Sequence, residues 1–336
     1  MHFCSKLLKK DIYSISTIGQ RRKPMRTLLK VMPRTFKCGL STLSEEDFQK
    51  LQEIRLRVGQ PLILKIGSHE YGLNEEGICK MGSGYTVSKQ DVSDILHCMS
   101  DFSLYALEDE LRQGFLTLEG GHRVGLVGRV VLENNRIKTL KHISGMNIRI
   151  AHEVIGCSER IMPYILSRER VYHTLIVSPP GCGKTTLLRD MILQLSEGFS
   201  GYGPYTVGVV DERSEIAACY LGVPQNHLGT RTDVLDACPK VEGMRMLLRS
   251  MAPQVVAVDE IGKEEDCEAL RDMLSAGVSL LCTVHGKDDK ECFRRPKLKE
   301  LLEEGLFERL IILSNRQGPC TIEAILDGTR GMKIIG

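Results

Sequence analysis

The length and composition of the chain are those of an ordinary globular protein with two domains. It has 336 residues, of which 42% are hydrophobic and 26% are charged, and chains of this length commonly divide into two domains. Its 45 basic and 43 acidic residues leave a formal net charge of only +2. This balance argues against a chain-wide electrostatic attraction to nucleic acid or to anionic lipid.

The twelve cysteines are scattered, and no two of them form a C-x-x-C pair. Because this spacing suits neither a zinc ribbon nor a redox motif, we expect reduced thiols in a cytoplasmic protein. No apolar stretch approaches the roughly 20 residues of a membrane-spanning helix. Residues 1–24 are rich in basic residues but lack the apolar core of a signal peptide. We therefore expect a disordered leader, with the folded protein beginning near Met25.

Residues 25–155 mix short helices and strands, which predicts an N-terminal α+β domain with no catalytic motif of its own. Ser44 precedes three acidic residues, as at a helix N-terminus. Phe48, Leu51 and Ile54 continue this helix with an apolar face. A second helical pattern runs over Val92–Glu110. The predicted strands are Leu62–Ile66, Gly114–Leu118, Arg123–Val131 and Ile148–Ile150, the middle two forming a hairpin.

From residue 171 onward, strands alternate with helices, the pattern of a parallel sheet with crossover connections. Several strands are continuous apolar runs, which is typical of strands covered on both faces. The predicted strands are Leu175–Ser178, Val207–Val210, Val255–Val258, Leu280–Val284, Ile311–Leu313 and Thr321–Leu326. The expected fold class is α/β, with a RecA-like P-loop NTPase core over residues 171–336. A linker helix near Ser158–Ser167, within residues 156–170, would join it to the smaller α+β domain.

A glycine-containing loop follows the first of these strands and leads into a helical segment. The loop and helix start comprise Ser178, Pro179, Pro180, Gly181, Cys182, Gly183, Lys184, Thr185 and Thr186. Strand, loop and helix in this order are the context of a Walker A motif, whose backbone N–H groups and helix N-terminus hold phosphates. Lys184 would reach the β- and γ-phosphates, and Thr185 would bind Mg²⁺ through its hydroxyl. The predicted ligands are therefore ATP and Mg²⁺.

A Walker B pattern follows, in which four apolar residues precede Asp259 and Glu260. Two adjacent acids at the end of a buried strand are rarely structural, since unpaired buried carboxylates are costly. We expect Asp259 to hold Mg²⁺ and Glu260 to polarise the attacking water. These acids change the prediction from a nucleotide-binding site to a hydrolytic one.

A second pair of acids, Asp211 and Glu212, ends another predicted strand. Parallel strands bring their carboxyl ends to the same edge as the phosphate loop, so both acids could also face the nucleotide, with Glu212 as a further candidate base. The alternative is a structural role as a helix cap or as ion-pair partners of Arg213.

Thr283 and His285 end a fourth strand and could detect the γ-phosphate, although a single histidine is often only a packing residue. Any of several arginines could complete the site by reaching the γ-phosphate of a neighbouring subunit. The candidates are Arg231, Arg245, Arg249, Arg149 and Arg123.

The motif order resembles the secretion ATPases of type II and type IV systems and the pilus motors. These proteins carry an acidic box after Walker A and a histidine box after Walker B, matched here by residues 211–213 and 283–286. The run Glu53–Leu62 resembles their N-terminal domain, where a basic strand precedes Gly-x-Pro. Within this family, the segments 181–190, 210–215 and 259–262 look most like its sporulation members.

The resemblance implies a hexameric ATPase of an endospore-forming bacterium, placed under the wider AAA+ group of ring ATPases. It would lie in the cytoplasm at the mother-cell face of the forespore membrane. There it would power a channel built from membrane proteins of a sporulation secretion-like complex. The N-terminal domain would dock on the neighbouring subunit and move with nucleotide state.

Two other functions fit the P-loop core. A nucleic-acid-dependent RecA-like ATPase is one, although Trp is absent, aromatic residues make up only 5% and no stacking platform is visible. No nucleic-acid partner is therefore expected. A small-molecule phosphotransferase is the other, but we find no arginine-rich lid. Transport of the ABC type is disfavoured because no Leu-Ser-Gly-Gly signature lies between the Walker motifs.

Overall fold

The computed structural model describes residues 23–99, 112 and 114–335, and the chain forms two compact units. The first unit is Met1–His152 and the second is Glu153–Gly336. Most of the expected leader, and the part of the predicted helix Val92–Glu110 beyond residue 99, lie outside the described residues. Each unit has its own hydrophobic core.

The first unit is an antiparallel sheet with helices. Its described helices are α1 (Lys23–Val31), α2 (Arg34–Ser41), α3 (Glu45–Lys50) and α4 (Lys89–Met99). Its described strands are β1 (Leu51–Arg57), β2 (Ile63–Ile66), β3 (His69–Asn74), β4 (Gly77–Cys79), β5 (Phe115–Thr117), β6 (Arg123–Glu133) and β7 (Arg136–Arg149). They are ordered β4-β3-β2-β1-β7-β6-β5.

The helix predicted from Ser44 is shorter than its apolar spacing suggested. Ser44 caps α3 by accepting a hydrogen bond from the backbone N–H of Asp47 at 3.0 Å, but the helix ends at Lys50. Leu51 and Ile54 belong instead to β1 and are fully buried there. A bulge between Leu51 and Glu53 shifts the register and puts these two side chains, three positions apart, on one face of a strand. The spacing of three was therefore misread as helical.

The strand predicted at Ile148–Ile150 is the end of the much longer β7. The first part of β7, from Arg136, is mostly exposed and polar, so its sequence lacks the apolar alternation that marks a half-buried strand. The predicted hairpin is present as β5 and β6, which pair through Phe115–Thr117 and Arg123–Gly125.

The second unit is a mainly parallel sheet with helices. Its strands are β8 (Thr174–Ser178), β9 (Val207–Asp211), β10 (Thr232–Asp236), β11 (Val255–Val258), β12 (Ser279–His285), β13 (Arg309–Ser314), β14 (Thr321–Asp327) and β15 (Lys333–Ile335). Its described helices are α5 (Met162–Ile165), α6 (Lys184–Glu197), α7 (Lys240–Ser250), α8 (Glu264–Ser275), α9 (Asp289–Phe293) and α10 (Pro296–Glu303). The order of the strands is β10-β9-β11-β12-β8-β13-β14-β15.

The sheet of the second unit has a buried face on each side. Leu175 and Val177 of β8 pack in one apolar cluster, whereas Ile176 between them packs in the other. All pairings from β10 to β13 in this order are parallel, and β14 pairs antiparallel with both β13 and β15. The carboxyl ends of β8, β9, β11 and β12 therefore lie at one edge of the sheet, where ligands of such folds bind.

Three details of this unit differ from the sequence predictions. The strands β10 and β15 were not predicted, because each is at least partly exposed and lacks a continuous apolar run. The helix expected near Ser158–Ser167 is only the four-residue α5. It ends because Leu166 is extended and forms a β-bridge with Val171.

Candidate nucleotide-binding site

The phosphate loop connects the end of β8 at Ser178 to the start of α6 at Lys184. Gly181 and Gly183 have φ angles of +73° and +88°, values that only glycine adopts without strain. Gly183 has a second reason to be glycine, since a Cβ there would lie 2.6 Å from the sulfur of Cys320. These turns leave a loop of backbone N–H groups at the helix N-terminus, the arrangement that binds phosphate.

Lys184 is the buried cation of this loop. Only 7% of it is exposed, and its Nζ donates to Glu260 Oε1 at 2.9 Å and lies 3.5 Å from Asp259 Oδ1. A buried ammonium requires such partners, because an unpaired charge in the interior is costly. The structure thus joins the Walker A lysine to both acids predicted for Walker B.

Thr185, Asp259 and Thr283 form a hydrogen-bonded chain beside Lys184. The hydroxyl of Thr185 donates to Asp259 Oδ2 at 2.8 Å, and the hydroxyl of Thr283 donates to Asp259 Oδ1. Thr283 is fully buried, and its oxygen also accepts from the backbone N–H of Glu260 at 2.9 Å. One side chain therefore orients both acids of the pair. Hydroxyl and carboxylate oxygens are the ligands that Mg²⁺ prefers, so Thr185 and Asp259 fit the predicted metal.

Glu260 is held by three cationic or potentially cationic side chains. Its Oε1 accepts from Lys184 and contacts His285 Nε2 at 2.7 Å, and its Oε2 accepts from Arg213 Nη1 at 2.7 Å. Burial alone would raise the pKa of this carboxyl, but Lys184, His285 and Arg213 together lower its pKa to about 2. Its backbone has a φ of +55°, a conformation that strains a non-glycine residue and is frequent at functional sites.

His285 ends β12 two residues beyond Thr283. Its Nδ1 is buried and has no hydrogen-bond partner among the described residues, which leaves Glu260 as the group that fixes the ring through Nε2. This contact brings the predicted histidine into the same network as the phosphate loop.

The second pair of acids has different partners. Asp211 is buried and accepts from the backbone N–H groups of Glu215, Ile216 and Ala217 at 2.8, 3.0 and 2.8 Å. Its carboxylate therefore caps the non-helical turn that follows β9, a structural role, although neither the helix cap nor the ion pair with Arg213 that was considered for it. Glu212 accepts from Lys240 Nζ at 2.7 Å, and this hydrogen bond lowers the pKa of Glu212.

A small open cleft lies between the two acid pairs. It is lined by Asp211, Glu212, Arg213, Glu215, Lys240, Asp259 and Glu260. Five of these seven side chains are acidic, so the cleft favours a cationic group. Glu212 thus lies at the same edge of the sheet as Glu260, although its carboxylate is paired with a different lysine.

The remaining residues of the predicted phosphate loop take structural positions around it. Ser178 is buried, and its hydroxyl donates to the carbonyl of Pro179 at 2.7 Å. Cys182 is buried and its carbonyl accepts from the N–H of Cys320 at 2.8 Å. The carbonyl of Thr186 accepts from Cys157 Sγ at 3.9 Å, and Pro180 is exposed.

The five candidate arginines have partners outside this network. Arg231 donates to the carbonyl of Ser196 at 3.1 Å and Arg249 to that of Arg245 at 3.2 Å. Arg245 lies 3.7 Å from Asp272. In the first unit, Arg149 lies 3.8 Å from Glu53, and the guanidinium of Arg123 lies 3.7 Å from the centre of the Phe115 ring.

Sequence reasoning missed three residues of the site. Arg213 was considered only as a partner of its neighbouring acids, but it binds Glu260, 47 positions away. Lys240 carried no motif. Arg189 of α6 is partly buried and donates to the carbonyls of Glu215 and Ile216, both at 2.8 Å. Its place directly before Asp190, within the largely apolar run Leu187–Leu193, gave no local signal of these partners.

A parallel sheet with a phosphate loop opposite acidic strand ends defines a P-loop NTPase with a RecA-like core. Solved structures agree with this class. The Legionella pneumophila ATPase DotB matches with a TM-score of 0.56 at 15% identity, covering 85% of this chain and 79% of that one. The pilus retraction motor PilT with bound ADP matches with a TM-score of 0.53 at 14% identity, covering 80% and 75%. At these identities the likeness concerns the fold alone.

Sequence comparison narrows the class to one family. The model of the family described as "Sporulation stage III, protein AA" matches residues 22–334, and the chain belongs to this family. The stage III sporulation protein AA of Bacillus subtilis is 42% identical over 90% of this chain and 95% of that protein. The assignment to the AAA+ group is wrong, because the secretion and pilus ATPases are a different branch. In the described part of the chain, no helix has the length and hydrophobicity to span a bilayer.

Proposed function

We propose that this protein is a Mg²⁺-dependent ATPase that works as the motor of a secretion-like complex during endospore formation. The observation that carries the proposal is the convergence of Lys184, Thr185, Asp259 and Glu260 at one edge of the sheet. These residues lie up to 76 positions apart in sequence, and each has the side chain that phosphate binding and hydrolysis require.

Lys184 couples nucleotide binding to the activation of Glu260. In the structure, the ammonium of Lys184 lowers the pKa of Glu260, so this carboxylate is a weak base. A triphosphate in the loop attracts the ammonium, since phosphate oxygens carry more negative charge than one carboxylate. As Lys184 turns to the phosphates, the pKa of Glu260 rises toward its ordinary value. The carboxylate can then accept a hydrogen bond from the attacking water and polarise it.

Thr185 and Asp259 are the residues that would hold Mg²⁺ beside the phosphates. When bound, Mg²⁺ neutralises the charge that develops on the phosphate oxygens. Thr283 positions Asp259 and the backbone of Glu260 together, so it fixes the distance between the metal-binding and base groups. His285 contacts Glu260 and is placed to respond when the ion pairs of that carboxylate change.

The motor role rests on the family and on the names of its structural neighbours, an ATPase and a pilus retraction motor. A hexamer is the expected assembly, in which a basic side chain of a neighbouring subunit enters the acidic cleft between the two acid pairs. The α+β domain of residues 25–155 would move against the ATPase domain of residues 171–336 as nucleotide is exchanged. Membrane proteins of the sporulation complex would hold the ring at the mother-cell face of the forespore membrane.

The direct test is ATP turnover by the purified full-length chain with Mg²⁺ and with a chelator, together with its mass in solution with and without ATP. We expect Mg²⁺-dependent turnover, a larger assembly with ATP, and neither in Lys184→Ala. A monomer under all conditions with unchanged turnover in the variant would refute the proposal. If single-stranded nucleic acid raised turnover many-fold while membrane partners had no effect, the secretion role would be replaced by that of a nucleic-acid-dependent ATPase.

A further inference from the structure

The order of the strands fixes the direction in which a bound triphosphate must lie. Glu260 follows β11 and His285 ends β12, so the groups suited to the γ-phosphate lie on one side of β8. The opposite neighbour of β8 is β13. Since the loop binds the α- and β-phosphates next to the γ-phosphate, the nucleoside must leave the loop on the side of β13.

The turn between β13 and β14 lies against the phosphate loop on that side. The N–H of Cys320 donates to the carbonyl of Cys182 at 2.8 Å, and its sulfur lies 3.4 Å from the carbonyl oxygen of Gly183. Cys320 has a φ of +63°, a conformation that a cysteine adopts only when its surroundings enforce it. Pro319 adjoins it, 3.4 Å from where a Cβ on Gly183 would lie.

A second segment, residues 154–158, lies against the first turns of α6. Asp190 of α6 accepts from the N–H groups of Gly156 and Ser158 at 2.8 and 2.6 Å. The sulfur of Cys157 lies 3.9 Å from the carbonyl oxygen of Thr186, three residues beyond Gly183, whose carbonyl oxygen lies 3.4 Å from the sulfur of Cys320. The segment and the turn therefore both lie against the start of α6.

This anchoring leaves two large aliphatic side chains in solvent. Val154 and Ile155 are 52% and 48% exposed, although the residues that follow them are held firmly by Asp190. An exposed aliphatic pair next to a phosphate site is suited to the flat apolar face of a nucleobase. Positively charged groups would serve the phosphates instead, and hydrogen-bonding groups the ribose.

We propose that the base of the bound nucleotide lies on a platform formed by Val154, Ile155, Pro319 and Cys320. The inference rests on the proposed function, since it assigns a second part of the same nucleotide site. The nearby polar side chains of Asn315 and Gln317 are exposed and hence poorly fixed. Apolar contact therefore dominates, and ATP and GTP are expected to bind with affinities that differ by less than about tenfold.

The experiment compares ATP with inorganic tripolyphosphate, which has the phosphates but no base, by calorimetry on the full-length chain. In Val154→Ser/Ile155→Ser, the dissociation constant for ATP should rise about tenfold or more, and that for tripolyphosphate should stay unchanged. Val223→Ser, at another exposed aliphatic position of the same unit, is the matched control and should change neither.

Three results would decide against the platform. These are unchanged ATP affinity in the double variant, an equal loss of affinity for both ligands, and a wild-type chain that binds tripolyphosphate as tightly as ATP. In none of these results does the loss of Val154 and Ile155 weaken binding of the base specifically, so the base would lie elsewhere. Failure of the wild-type chain to bind either ligand would instead overturn the proposed function.

Alkylation of the two cysteines gives an independent readout on the unmodified chain. Cys157 and Cys320 are partly exposed, whereas Cys182 in the loop is buried. A base on the platform should slow maleimide labelling of Cys157 and Cys320 when ATP is bound, and tripolyphosphate should protect them less. Equal protection by the two ligands, measured by peptide mass spectrometry, would contradict the platform.

Discussion

Two Asp-Glu pairs end neighbouring parallel strands, yet the structure uses them differently. Asp259 and Glu260 after β11 bind side chains of the phosphate loop. Among the described residues, the side chain of Asp211 at the end of β9 accepts hydrogen bonds from backbone N–H groups of the turn that follows it, and Glu212 pairs with Lys240. The two pairs lie at the same edge of the sheet and line the same cleft.

The difference follows from which groups face each pair, since the acids themselves are identical. β11 is separated from the phosphate-loop strand β8 by β12 alone, whereas β9 is one strand further away. Lys184 therefore reaches Glu260, and a separate lysine at the start of α7 neutralises Glu212. The same dipeptide forms part of the candidate catalytic site after β11 and stabilises a turn after β9.

The largest expected effect separates the two buried lysines. Lys184→Ala should lower ATP turnover by about 10³-fold or more, because it removes the cation that binds the β- and γ-phosphates. Lys240→Ala removes an equally buried lysine from the other acid pair and should lower turnover by less than about tenfold. Steady-state ATPase assays on both variants measure the contrast.

Circular dichroism should show that both lysine variants are folded. Comparable losses of turnover in the two folded proteins would mean that the pair after β9 takes part in catalysis as directly as the pair after β11.

The glutamates should differ in a similar way. Glu260→Gln should lower the rate constant for hydrolysis by about 10²-fold, as expected for loss of a general base. ATP should bind at least as tightly as before, because Lys184 no longer has to leave a carboxylate. Glu212→Gln should change the rate by no more than about threefold. Single-turnover kinetics, with binding measured separately, distinguish the two steps.

The reverse result, with Glu212→Gln slow and Glu260→Gln near normal, would exchange the two roles. It would also mean that Lys240 releases Glu212 when nucleotide binds.

Asp211 should matter for stability more than for chemistry. Asp211→Ala leaves three buried or partly buried N–H groups without their acceptor and should lower the free energy of unfolding by about 2–4 kcal/mol. Urea titration monitored by circular dichroism measures the loss. Asp236→Ala, at the corresponding end of the neighbouring β10, is the control and should cost less. A smaller loss for Asp211→Ala than for this control would argue against the role of Asp211 in stabilising the turn.

The sequence was sufficient to predict that the candidate phosphate loop joins a strand to a helix and that the acids opposite it follow neighbouring strands. Lys184 and Asp259 are recognisable because a fixed local order of strand, loop and charged residue carries the motif. The strands β8, β11 and β12 were equally predictable, since strands buried on both faces are apolar throughout.

The partners of those acids could not be predicted, because they depend on tertiary contacts that leave no local signal. Arg213 follows Asp211 and Glu212 directly in sequence, yet it binds Glu260 across the cleft. The backbone conformations of Glu260 and Cys320, both with positive φ, could not be predicted from the sequence for the same reason. The bulge that shifts β1 shows that a single inserted residue can make strand spacing look helical.

Thr283 should have a smaller effect than either acid that it positions. Thr283→Val keeps the shape of the side chain but removes the hydroxyl that donates to Asp259 and accepts from Glu260. We expect the rate constant for hydrolysis to fall about tenfold. The Mg²⁺ concentration needed for half-maximal activity should change less than it does when Asp259 is substituted. Thr283→Ser, which restores the hydroxyl, should recover most of the activity, whereas a purely steric role would make valine the better substitute.

The smallest expected effect is on the pH dependence of the free energy of unfolding. Without nucleotide, Glu260 has a pKa of about 2 against an ordinary 4.5. A depressed carboxyl pKa stabilises the folded state above the ordinary value, and this contribution is lost as pH falls from about 4.5 toward 2. The difference in unfolding free energy between the wild-type chain and Glu260→Gln should therefore shrink as pH is lowered from about 6 to 3. Glu212→Gln should show the same trend more weakly, since Glu212 is more exposed than Glu260. A difference that stayed constant over this range would mean that Lys184 and Arg213 do not bind Glu260 in solution without nucleotide.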